Sequence, residues 1–321
     1  MKPLAIGSRG SALALWQAEH VRKLLRECAG ISAEVIVIKT SGDKLNELPF
    51  GQVGLKGMFI KELEDALLDG RVDLAVHSLK DVPSVLPDAL TLAAICERED
   101  VRDALLSRSG QTLDHLPRGA RIGTSSLRRL SQLRHYRPDL RMRELRGNLD
   151  TRLAKLERGE CDAIVLAKAG LDRLGLSGRI SQVLPPNISL PAAGQGALAI
   201  EVRAGDRELA DSLGALDHEA TRRSVAAERA LSAALGGGCQ VPIGAWARIE
   251  GEPPNDVLRL DAAVLSPDGT QCLRQSATRA RDEAEALGRQ VAASLRAAGA
   301  ERILGEVHAR LSGRANVKAE P

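Results

Sequence analysis

Residues 4–28 read LAIGSRGSALALWQAEHVRKLLREC: a short apolar run, a turn rich in Gly and Ser, and a long stretch whose apolar side chains recur at helical spacing. A buried strand followed by an amphipathic helix is the repeating unit of α/β folds. The pattern therefore predicts an α/β architecture with mostly parallel strands. The alternation continues along the first two hundred residues, with predicted strands at 35–38, 74–76, 140–145 and 163–166 and predicted helices at 59–68, 149–157 and 167–174.

The last third of the chain has a different pattern. Apolar stretches at 243–249, 258–265 and 271–277 are separated by turn-rich segments, as is typical of antiparallel strands, and a helix is predicted at 282–298. A chain of 321 residues also exceeds what one hydrophobic core usually serves. We therefore predict two α/β domains and a smaller C-terminal α+β domain with a three-stranded antiparallel sheet. The chain end is expected to fray from about Ser312.

Composition excludes several classes of protein. Hydrophobic residues make up 44% of the chain and charged residues 27%, as in soluble globular proteins. Aromatic residues are scarce, at 2%, which argues against a single-stranded nucleic acid partner because such proteins stack bases on aromatic rings. No stretch approaches the ~18 apolar residues of a membrane span, and residues 1–9 lack the apolar run of a signal peptide. We expect a cytoplasmic protein with no membrane partner.

The stretch from Thr124 to Arg152 holds eight arginines against three acids, although the net charge of the whole chain is only +3. Arginine offers a planar fork of donors that matches carboxylate and phosphate groups. Such local basicity favours a defined polyanionic ligand, whereas the alternative is a solvated helix face whose arginines pair with acids elsewhere. The arginines are Arg128, Arg129, Arg134, Arg137, Arg141, Arg143, Arg146 and Arg152.

Thr124, Ser125 and Ser126 stand between a short apolar strand candidate at 121–123 and a predicted helix. Helix N-termini collect free N–H groups and bind anions. Arg128 and Arg129 follow in the first turn, where the local field is already positive. This placement is costly unless a ligand supplies the negative charge.

Two further loops follow predicted strands, at the sheet edge where α/β proteins bind ligands. Residues 7–11 contain Arg9 and Ser11, and Ser11 is also expected to cap the next helix. Residues 77–83 contain Lys80 and Asp81. Asp81 could act as an acid, a base or a cation stabiliser, or it could merely pair with Lys80 or cap the next turn. His77 is interpreted as a structural residue.

Residues 41–58 are rich in glycine and charge and lack a clear period, which makes them a candidate lid, with a plain surface loop as the alternative. Nucleotide-binding glycine motifs are absent from the chain. The loop GGGCQVP at 236–242 places Cys239 among glycines that let a ligand approach the backbone. A lone cysteine in a turn is usually inert, but here a nucleophile or an attachment point is favoured.

The remaining cysteines, Cys28, Cys96, Cys161 and Cys272, are widely separated and form no CxxC pair, so neither a disulfide framework nor a metal site is predicted.

Taken together, these loops make the chain resemble the porphobilinogen deaminase (hydroxymethylbilane synthase) family from about Ile6 to beyond Ala309, least closely at 43–50. The motifs that carry the resemblance are residues 9–16, 53–64, 75–83, 95–100, 123–129, 145–152, 190–197 and 237–243.

The resemblance implies an enzyme of tetrapyrrole biosynthesis that condenses four porphobilinogen molecules head to tail, releases ammonia at each step and hydrolyses the chain to hydroxymethylbilane. It implies a dipyrromethane cofactor held by a thioether to Cys239, and it gives Asp81 the catalytic role, as the carboxylate beside cationic pyrrole intermediates. Each pyrrole bears an acetate and a propionate, and the residues implied as their contacts are Arg9, Ser11, Lys56, Phe59, Ser78, Lys80, Thr124, Ser125, Ser126, Arg128, Arg129, Arg146, Arg152, Arg173 and Gln195.

The resemblance also implies two domains like those of periplasmic binding proteins, with the chain returning to complete the first after the second. The expected ranges are 1–96 with 197–214 for the first, 97–196 for the second, 215–313 for the third and 314–321 for a tail. A monomer that passes its product to the next enzyme of the pathway is expected.

Two rival functions make different predictions. A non-catalytic, two-lobed polyanion-binding protein would explain the arginines but not a glycine-flanked Cys239 in an added domain. Binding to a phosphate backbone would explain the basic stretch alone, and it predicts an affinity for nucleic acid that falls steeply with salt.

Overall fold

The structure is a computed structural model that describes residues 3–39, 60–237, 241–252 and 254–316, with residues 311–316 described by their backbone alone. Its strands are β1 (Leu4–Ser8), β2 (Ala33–Val37), β3 (Leu74–Ser78), β4 (Leu90–Ile95), β5 (Asp103–Ser107), β6 (Arg121–Gly123), β7 (Arg141–Arg143), β8 (Ala163–Ala167), β9 (Gln182–Leu184), β10 (Leu198–Arg203), β11 (Ile243–Glu250), β12 (Val257–Leu265) and β13 (Cys272–Ala280). Its α-helices are α1 (Ala12–Ala29), α2 (Lys61–Leu68), α3 (Leu127–Tyr136), α4 (Leu149–Glu157), α5 (Lys168–Arg173), α6 (Arg207–Ser212), α7 (Glu219–Ala234), α8 (Ala284–Ala297) and α9 (Ala300–Asn316).

The first lobe is built on a five-stranded sheet in the order β2-β1-β3-β10-β4. β1 pairs in parallel with β2 and β3, whereas β10 lies antiparallel between β3 and β4. Ile6, Val21, Leu74 and Ile200 belong to one fully buried core cluster, which joins the sheet to α1. Because β10 follows the whole second sheet in sequence, the chain leaves the first lobe and returns to complete it.

The second lobe repeats this plan with a five-stranded sheet in the order β7-β6-β8-β5-β9. β6 pairs in parallel with β7 and β8, and β5 runs antiparallel between β8 and β9. In each lobe four strands share one direction and one strand opposes them, which confirms the prediction of mostly parallel sheets.

The third domain has the antiparallel sheet β11-β12-β13, as predicted. One core cluster joins this sheet to the helices, and it includes Leu231 of α7, Leu260 of β12, Leu287 of α8 and Ile303 of α9. The predicted fold class, two α/β domains with a smaller C-terminal α+β domain, is therefore confirmed. The exact domain boundaries stay predictions.

Some predicted elements differ from the structure. The strand predicted at 140–145 is only β7, since Arg141 and Arg143 are exposed and the chain turns after this edge strand. Helix α9 was not expected from the sequence, and it continues past Ser312 to Asn316. Its side chains Ile303, Leu304 and Val307 are buried, and Ile303 and Leu304 pack into the core of the third domain.

Two crossing segments, residues 96–102 and 185–197, lie side by side between the lobes. Glu99 N–H donates to Gly196 O at 3.3 Å, and Arg98 Nε donates to Gln195 O at 2.8 Å. Gly196 has φ +93°, and a Cβ there would meet Glu99 O at 2.6 Å, so only glycine fits this close approach. The hinge between the lobes is thus a hydrogen-bonded double connection.

Candidate functional site

The polar loops that the sequence analysis singled out follow strands β1, β3, β6 and β7 at their carboxyl ends. In the first lobe Ser11 caps α1, because its side chain accepts from Ala14 N–H at 3.3 Å, which confirms the predicted cap. Ser78 Oγ accepts from Gln17 Nε2 at 2.8 Å. Arg9 is half-buried at the start of the same edge.

Directly after β3 the chain forms a short 3-10 helix, Leu79–Asp81. Leu79 is buried, Lys80 is half-buried and Asp81 is exposed, so exposure increases along the turn from Leu79 to Asp81. His77, four residues before Asp81, is buried and its Nε2 lies 2.9 Å from Glu201 Oε2. This internal ion-pair geometry agrees with the structural role predicted for His77.

In the second lobe helix α3 begins at Leu127, as predicted. Ser126 is its N-cap and accepts from Arg129 N–H at 3.4 Å, while Thr124 Oγ1 accepts from Ser126 N–H at 3.1 Å. Thr124 is buried, whereas Ser125 and Ser126 are half-buried at the edge of the sheet. The hydroxyl groups of Thr124 and Ser126 therefore accept hydrogen bonds from backbone N–H groups at the start of α3.

The side chains of Arg128 and Arg129 turn inward to a single carboxylate, Asp103. Arg128 Nη1 donates to Asp103 Oδ2 and Arg129 Nη2 donates to Asp103 Oδ1, both at 2.8 Å. Their exposures are 5% and 6%, and Asp103 is fully buried. The sequence analysis assigned the compensating negative charge to a ligand. In the structure Asp103 of β5 supplies one negative charge, and the sequence analysis did not predict this pairing.

Asp103 gathers further donors. Ser189 Oγ donates to its Oδ2 at 2.7 Å, and Gln195 Nε2 donates to its Oδ1 at 3.0 Å. Burial alone would raise the pKa of the Asp103 carboxyl, but Arg128 and Arg129 outweigh burial and hold that pKa well below its usual range. Gln195 is itself 1% exposed, so its amide belongs to this buried network.

The site retains a positive excess despite Asp103, since two guanidinium groups share one carboxylate. Burial lowers the pKa of Lys80 to about 8, Asp81 and Asp103 oppose this, and Arg129 and Arg128 add to it. Burial likewise lowers the pKa of Arg152 to about 10, with Arg129 adding to the effect and Asp81 opposing it. Lys80 and Arg152 thus each interact electrostatically with both Asp81 and Arg129.

Arg146 and Arg173 lie at the margins of this group. Arg146 Nε donates to Glu144 Oε1 at 2.6 Å. Arg173, on α5, donates through Nη2 to Gly196 O at 2.7 Å, and its guanidinium carbon lies 5.8 Å from the ring centroid of Trp16. Its buried Nε has no hydrogen-bond partner among the residues that the structure describes. Arg173 thus sits where both lobes meet the hinge.

The other arginines of the basic stretch point elsewhere. Arg134 donates to Pro267 O, and Arg137 pairs with Asp139 at 2.7 Å. Arg141 and Arg143 are exposed on β7. For these four residues the alternative of surface pairing and solvation holds, whereas Arg128 and Arg129 are buried on Asp103 and Arg152 interacts electrostatically with Asp81.

Three predicted site residues, Lys56, Phe59 and Cys239, lie outside the described residues, as does the candidate lid at 41–58. In the described ranges no group of three or more His, Cys, Asp or Glu side chains is placed to hold a metal ion. None of the helices described there is long and apolar enough to cross a membrane.

Sequence reasoning missed Asp103 and two charged residues of α7. Glu228 is fully buried and accepts from Arg98, and Arg229 donates to carbonyl groups of the loop after Asp81. Asp103 opens the apolar run of β5, and a charge at that position was a usable signal. Glu228 and Arg229 carry no comparable signal, because their partners come from distant segments.

Comparison with solved structures finds weak likenesses. A domain of BvgS from Bordetella pertussis matches with a TM-score of 0.41 and 17% identity, covering 66% of this chain and 84% of its own. A periplasmic substrate-binding protein of an ABC transporter from Coxiella burnetii matches with a TM-score of 0.41 and 16% identity, covering 66% and 91%. The fold assignment rests on the sheets described above.

Sequence comparison is decisive. Residues 4–211 match the family model described as porphobilinogen deaminase, dipyromethane cofactor binding domain, and residues 223–297 match that of the porphobilinogen deaminase C-terminal domain. A porphobilinogen deaminase from Chromobacterium violaceum is 51% identical over 308 residues, which are 96% of this chain and 98% of that protein. The chain therefore belongs to the porphobilinogen deaminase family.

Proposed function

We propose that Asp81 is the catalytic carboxylate of this enzyme and that Cys239 is the attachment point of its cofactor. The chain is a transferase of tetrapyrrole biosynthesis: it condenses four porphobilinogen molecules head to tail, with release of ammonia, and hydrolyses the product to hydroxymethylbilane. The observation that supports the assignment of roles is the exposed Asp81 at the end of the turn after β3, which interacts electrostatically with the cations Lys80 and Arg152.

The donor set of the site suits the carboxylates of the dipyrromethane cofactor and of the substrate. Arg128, Arg129, Lys80 and Arg152 outnumber the buried Asp103, so the site has positive charge in excess of its internal carboxylate. Arg173 adds a buried N–H that is unused within the described part of the chain. Guanidinium groups are the side chains best matched to carboxylates in fixed orientation.

Cys239 is proposed to hold the cofactor through a thioether. Its loop follows α7, and Gly236, with φ +66°, ends that helix while Gly237 N–H donates to Ser232 O at 2.7 Å. A cysteine reacts as thiolate. When bound, the cofactor supplies the pyrrole carbon at which chain growth starts.

Asp81 is proposed to act on the cation that forms from porphobilinogen. Loss of ammonia breaks the bond between the aminomethyl carbon and its nitrogen, and the electron pair leaves with the nitrogen. The remaining azafulvenium cation carries its positive charge over the pyrrole ring and its N–H. An ionised carboxylate stabilises such a cation and accepts a hydrogen bond from the N–H. Asp81, exposed at the end of its turn, is the carboxylate that can approach it.

The binding residues divide by their position. Lys80 and Arg152, which both interact electrostatically with Asp81, are proposed to contact the acetate and propionate groups. Arg128 and Arg129 contribute mainly through their field because Asp103 holds them. The remaining proposed contacts are Arg9, Ser11, Lys56, Phe59, Ser78, Thr124, Ser125, Ser126, Arg146, Arg173 and Gln195.

The test combines mass and rate. The enzyme is produced in a host that makes porphobilinogen, and the denatured intact mass is measured for wild type, Cys239→Ala and Cys28→Ala. Cys28 is an exposed cysteine on α1 and serves as the matched control. An excess of two linked pyrrole units in wild type and Cys28→Ala, and its loss in Cys239→Ala, is expected. Unmodified wild type, persisting after incubation with porphobilinogen, would overturn the attachment and favour the polyanion-binding alternative.

Asp81 is tested by the rate of porphobilinogen consumption. Asp81→Asn and Asp81→Glu are expected to keep the added mass and to lose most turnover. Normal turnover in either variant would remove the catalytic role of Asp81 and leave the family assignment untouched.

Cytoplasmic location, a monomeric state and the lack of nucleic acid or membrane partners stay predictions from the sequence. Sedimentation of the holoenzyme tests the monomer, and an affinity for nucleic acid that fell steeply with salt would contradict the expected absence of that partner.

A further inference from the structure

Arg229 of α7 connects the third domain to the loop that follows Asp81. Its Nη1 donates to Val82 O at 3.2 Å, and its Nη2 donates to Pro83 O at 2.7 Å and to Ser84 O at 3.3 Å. Three consecutive carbonyl groups, beginning one residue after Asp81, therefore accept from one guanidinium. Such a set of contacts fixes the path of the backbone at the catalytic turn.

An apolar contact supports the same turn from beneath. Val225 lies one helical turn before Arg229 and is fully buried in a cluster with Leu79 and Val82, the residues that flank Lys80 and Asp81. The 3-10 helix thus rests on α7 through its buried side chains, and Arg229 holds the segment that leaves it. Both contacting residues, Val225 and Arg229, lie on α7 of the third domain and not on a helix of the first lobe.

Helix α7 is itself held firmly and leads to the loop at 236–242. Glu228, the neighbour of Arg229, accepts from Gly194 N–H at 2.7 Å and from Ala247 N–H at 2.8 Å, which ties the helix to the hinge and to β11. A shift of α7 relative to the hinge and β11 would therefore be resisted, and the turn of Asp81 is held against a fixed helix.

We propose that Arg229 is a positioning residue that holds the turn of Asp81 in its working position. The inference rests on the proposed catalytic role of Asp81. Arginine suits this task, because its planar fork reaches several carbonyl groups at once, whereas the ammonium of lysine is a point donor on a flexible stem. Misplacement of a catalytic group by about 1 Å can cost about 100-fold in rate, so loss of the fork should act on turnover.

The experiment uses the holoenzyme of wild type, Arg229→Met, Arg229→Lys and Arg223→Met. Arg223 lies on the same helix, but its guanidinium pairs with Glu219 on the surface, so it is the matched control. Intact mass reports cofactor loading, thermal unfolding reports the fold, and initial rates give kcat and KM. Arg229→Met should keep its mass and lower kcat by about tenfold or more, with KM within about twofold. Arg229→Lys should recover part of kcat, and Arg223→Met should match wild type.

A double-mutant cycle separates positioning from general stability. If Arg229 acts through Asp81, Arg229→Met should change the residual rate of Asp81→Asn by less than about twofold, far less than in wild type. Equal effects in both backgrounds would overturn the proposal, as would normal kcat in Arg229→Met. If Arg229→Met does not fold, the same comparison with Arg229→Lys decides the matter.

The outcomes also separate this inference from the proposed function. Full turnover in Asp81→Asn alone would remove the catalytic role of Asp81, and the inference with it. An inactive Asp81→Asn beside fully active Arg229 variants would remove only the positioning role.

Discussion

Glu228 accepts both terminal N–H groups of the Arg98 guanidinium, with Nη1 to Oε1 at 2.7 Å and Nη2 to Oε2 at 3.0 Å. The pair joins the third domain to the segment that crosses between the lobes. The Glu228 side chain is fully buried, and the same two oxygens also accept from Gly194 N–H and Ala247 N–H. Four donors from three parts of the fold thus depend on one carboxylate.

Glu228→Gln should therefore destabilise the protein strongly. The substitution keeps the shape, but it leaves the buried Arg98 without its counter-charge and turns an amide NH2 toward groups that donate. Removal of one partner of a buried ion pair typically costs about 3–5 kcal/mol of the free energy of unfolding. Urea unfolding followed by far-UV circular dichroism measures the loss.

The control for this prediction is Glu219→Gln, at the start of the same helix. Glu219 pairs with Arg223 on the surface, where water already solvates both charges, so little change is expected. Equal losses in the two variants would show that the Glu228 contacts contribute no more than a surface pair.

Asp103→Asn should destabilise the second lobe in a pH-dependent manner. Above its unfolded pKa of about 3.9 the Asp103 carboxylate is charged in both states, and its depressed folded pKa contributes full stability. That contribution is lost as the pH falls below this value toward the folded pKa. The difference between wild type and Asp103→Asn should hence be about 3–5 kcal/mol near neutral pH and shrink below about pH 4.

Thermal or urea unfolding at a series of pH values measures this difference. Asp69→Asn is the matched control, because Asp69 pairs with Arg71 at the surface, where both side chains are more than half exposed. A loss of stability in Asp103→Asn that stayed constant down to pH 2 would contradict the ion-pair explanation.

The contrast between α4 and β5 shows what the sequence could predict. Helix α4 was predicted with its observed bounds, since its apolar spacing is local information. The charge of Asp103 at the start of an apolar run was visible, but its partners could not be foreseen, because Arg128 and Ser189 lie 25 and 86 residues away and meet it only when β5 enters the sheet antiparallel. Contacts between segments so far apart in sequence produce no periodic pattern of residues.

The same limit applies to the site. Lys80 and Asp81 were found because residues after a buried strand gather at one sheet edge, a rule that needs only the local pattern. The sequence does not give the hydrogen bonds of Gln195, whose amide donates to Val101 O and to Asp103. The direction of one side chain depends on which segments pack against it.

Lys80 should give the enzyme a pH dependence near 8. Burial lowers the pKa of Lys80 to about 8, so its ammonium is charged below that pH and neutral above it. Because the proposed substrate contacts are carboxylates, kcat/KM for porphobilinogen should fall as the pH rises through about 8. Lys80→Arg keeps its charge and should remove this contribution, whereas Lys80→Met should show low kcat/KM at every pH.

The contribution of Lys80 to the free energy of unfolding should increase as the pH rises above about 8. Between about pH 8 and 10.4 the unfolded Lys80 holds a proton that the folded one does not, so this group makes the protein more stable as the pH rises. Lys23→Met, at a surface lysine of α1, is the control for both profiles. A kcat/KM profile in Lys80→Arg identical to that of wild type would contradict the assignment.

Arg152 provides the sharpest test of whether the basic stretch is a specific site. Its Nε donates to Gly147 O at 2.8 Å, which orients the guanidinium. Arg129 lowers the pKa of Arg152, and Asp81 opposes this effect. Arg152→Gln removes a half-buried cation beside Asp81 and should lower kcat/KM by about 100-fold, because a charge-assisted contact to a substrate carboxylate is lost. Arg141→Gln removes the same charge from the exposed strand β7 and should leave kcat/KM nearly unchanged.

Intact mass of both variants separates a failure of cofactor assembly from a failure of turnover. Equal losses in the two variants, relieved equally by salt, would mean that the stretch acts through its total charge and not through one oriented guanidinium.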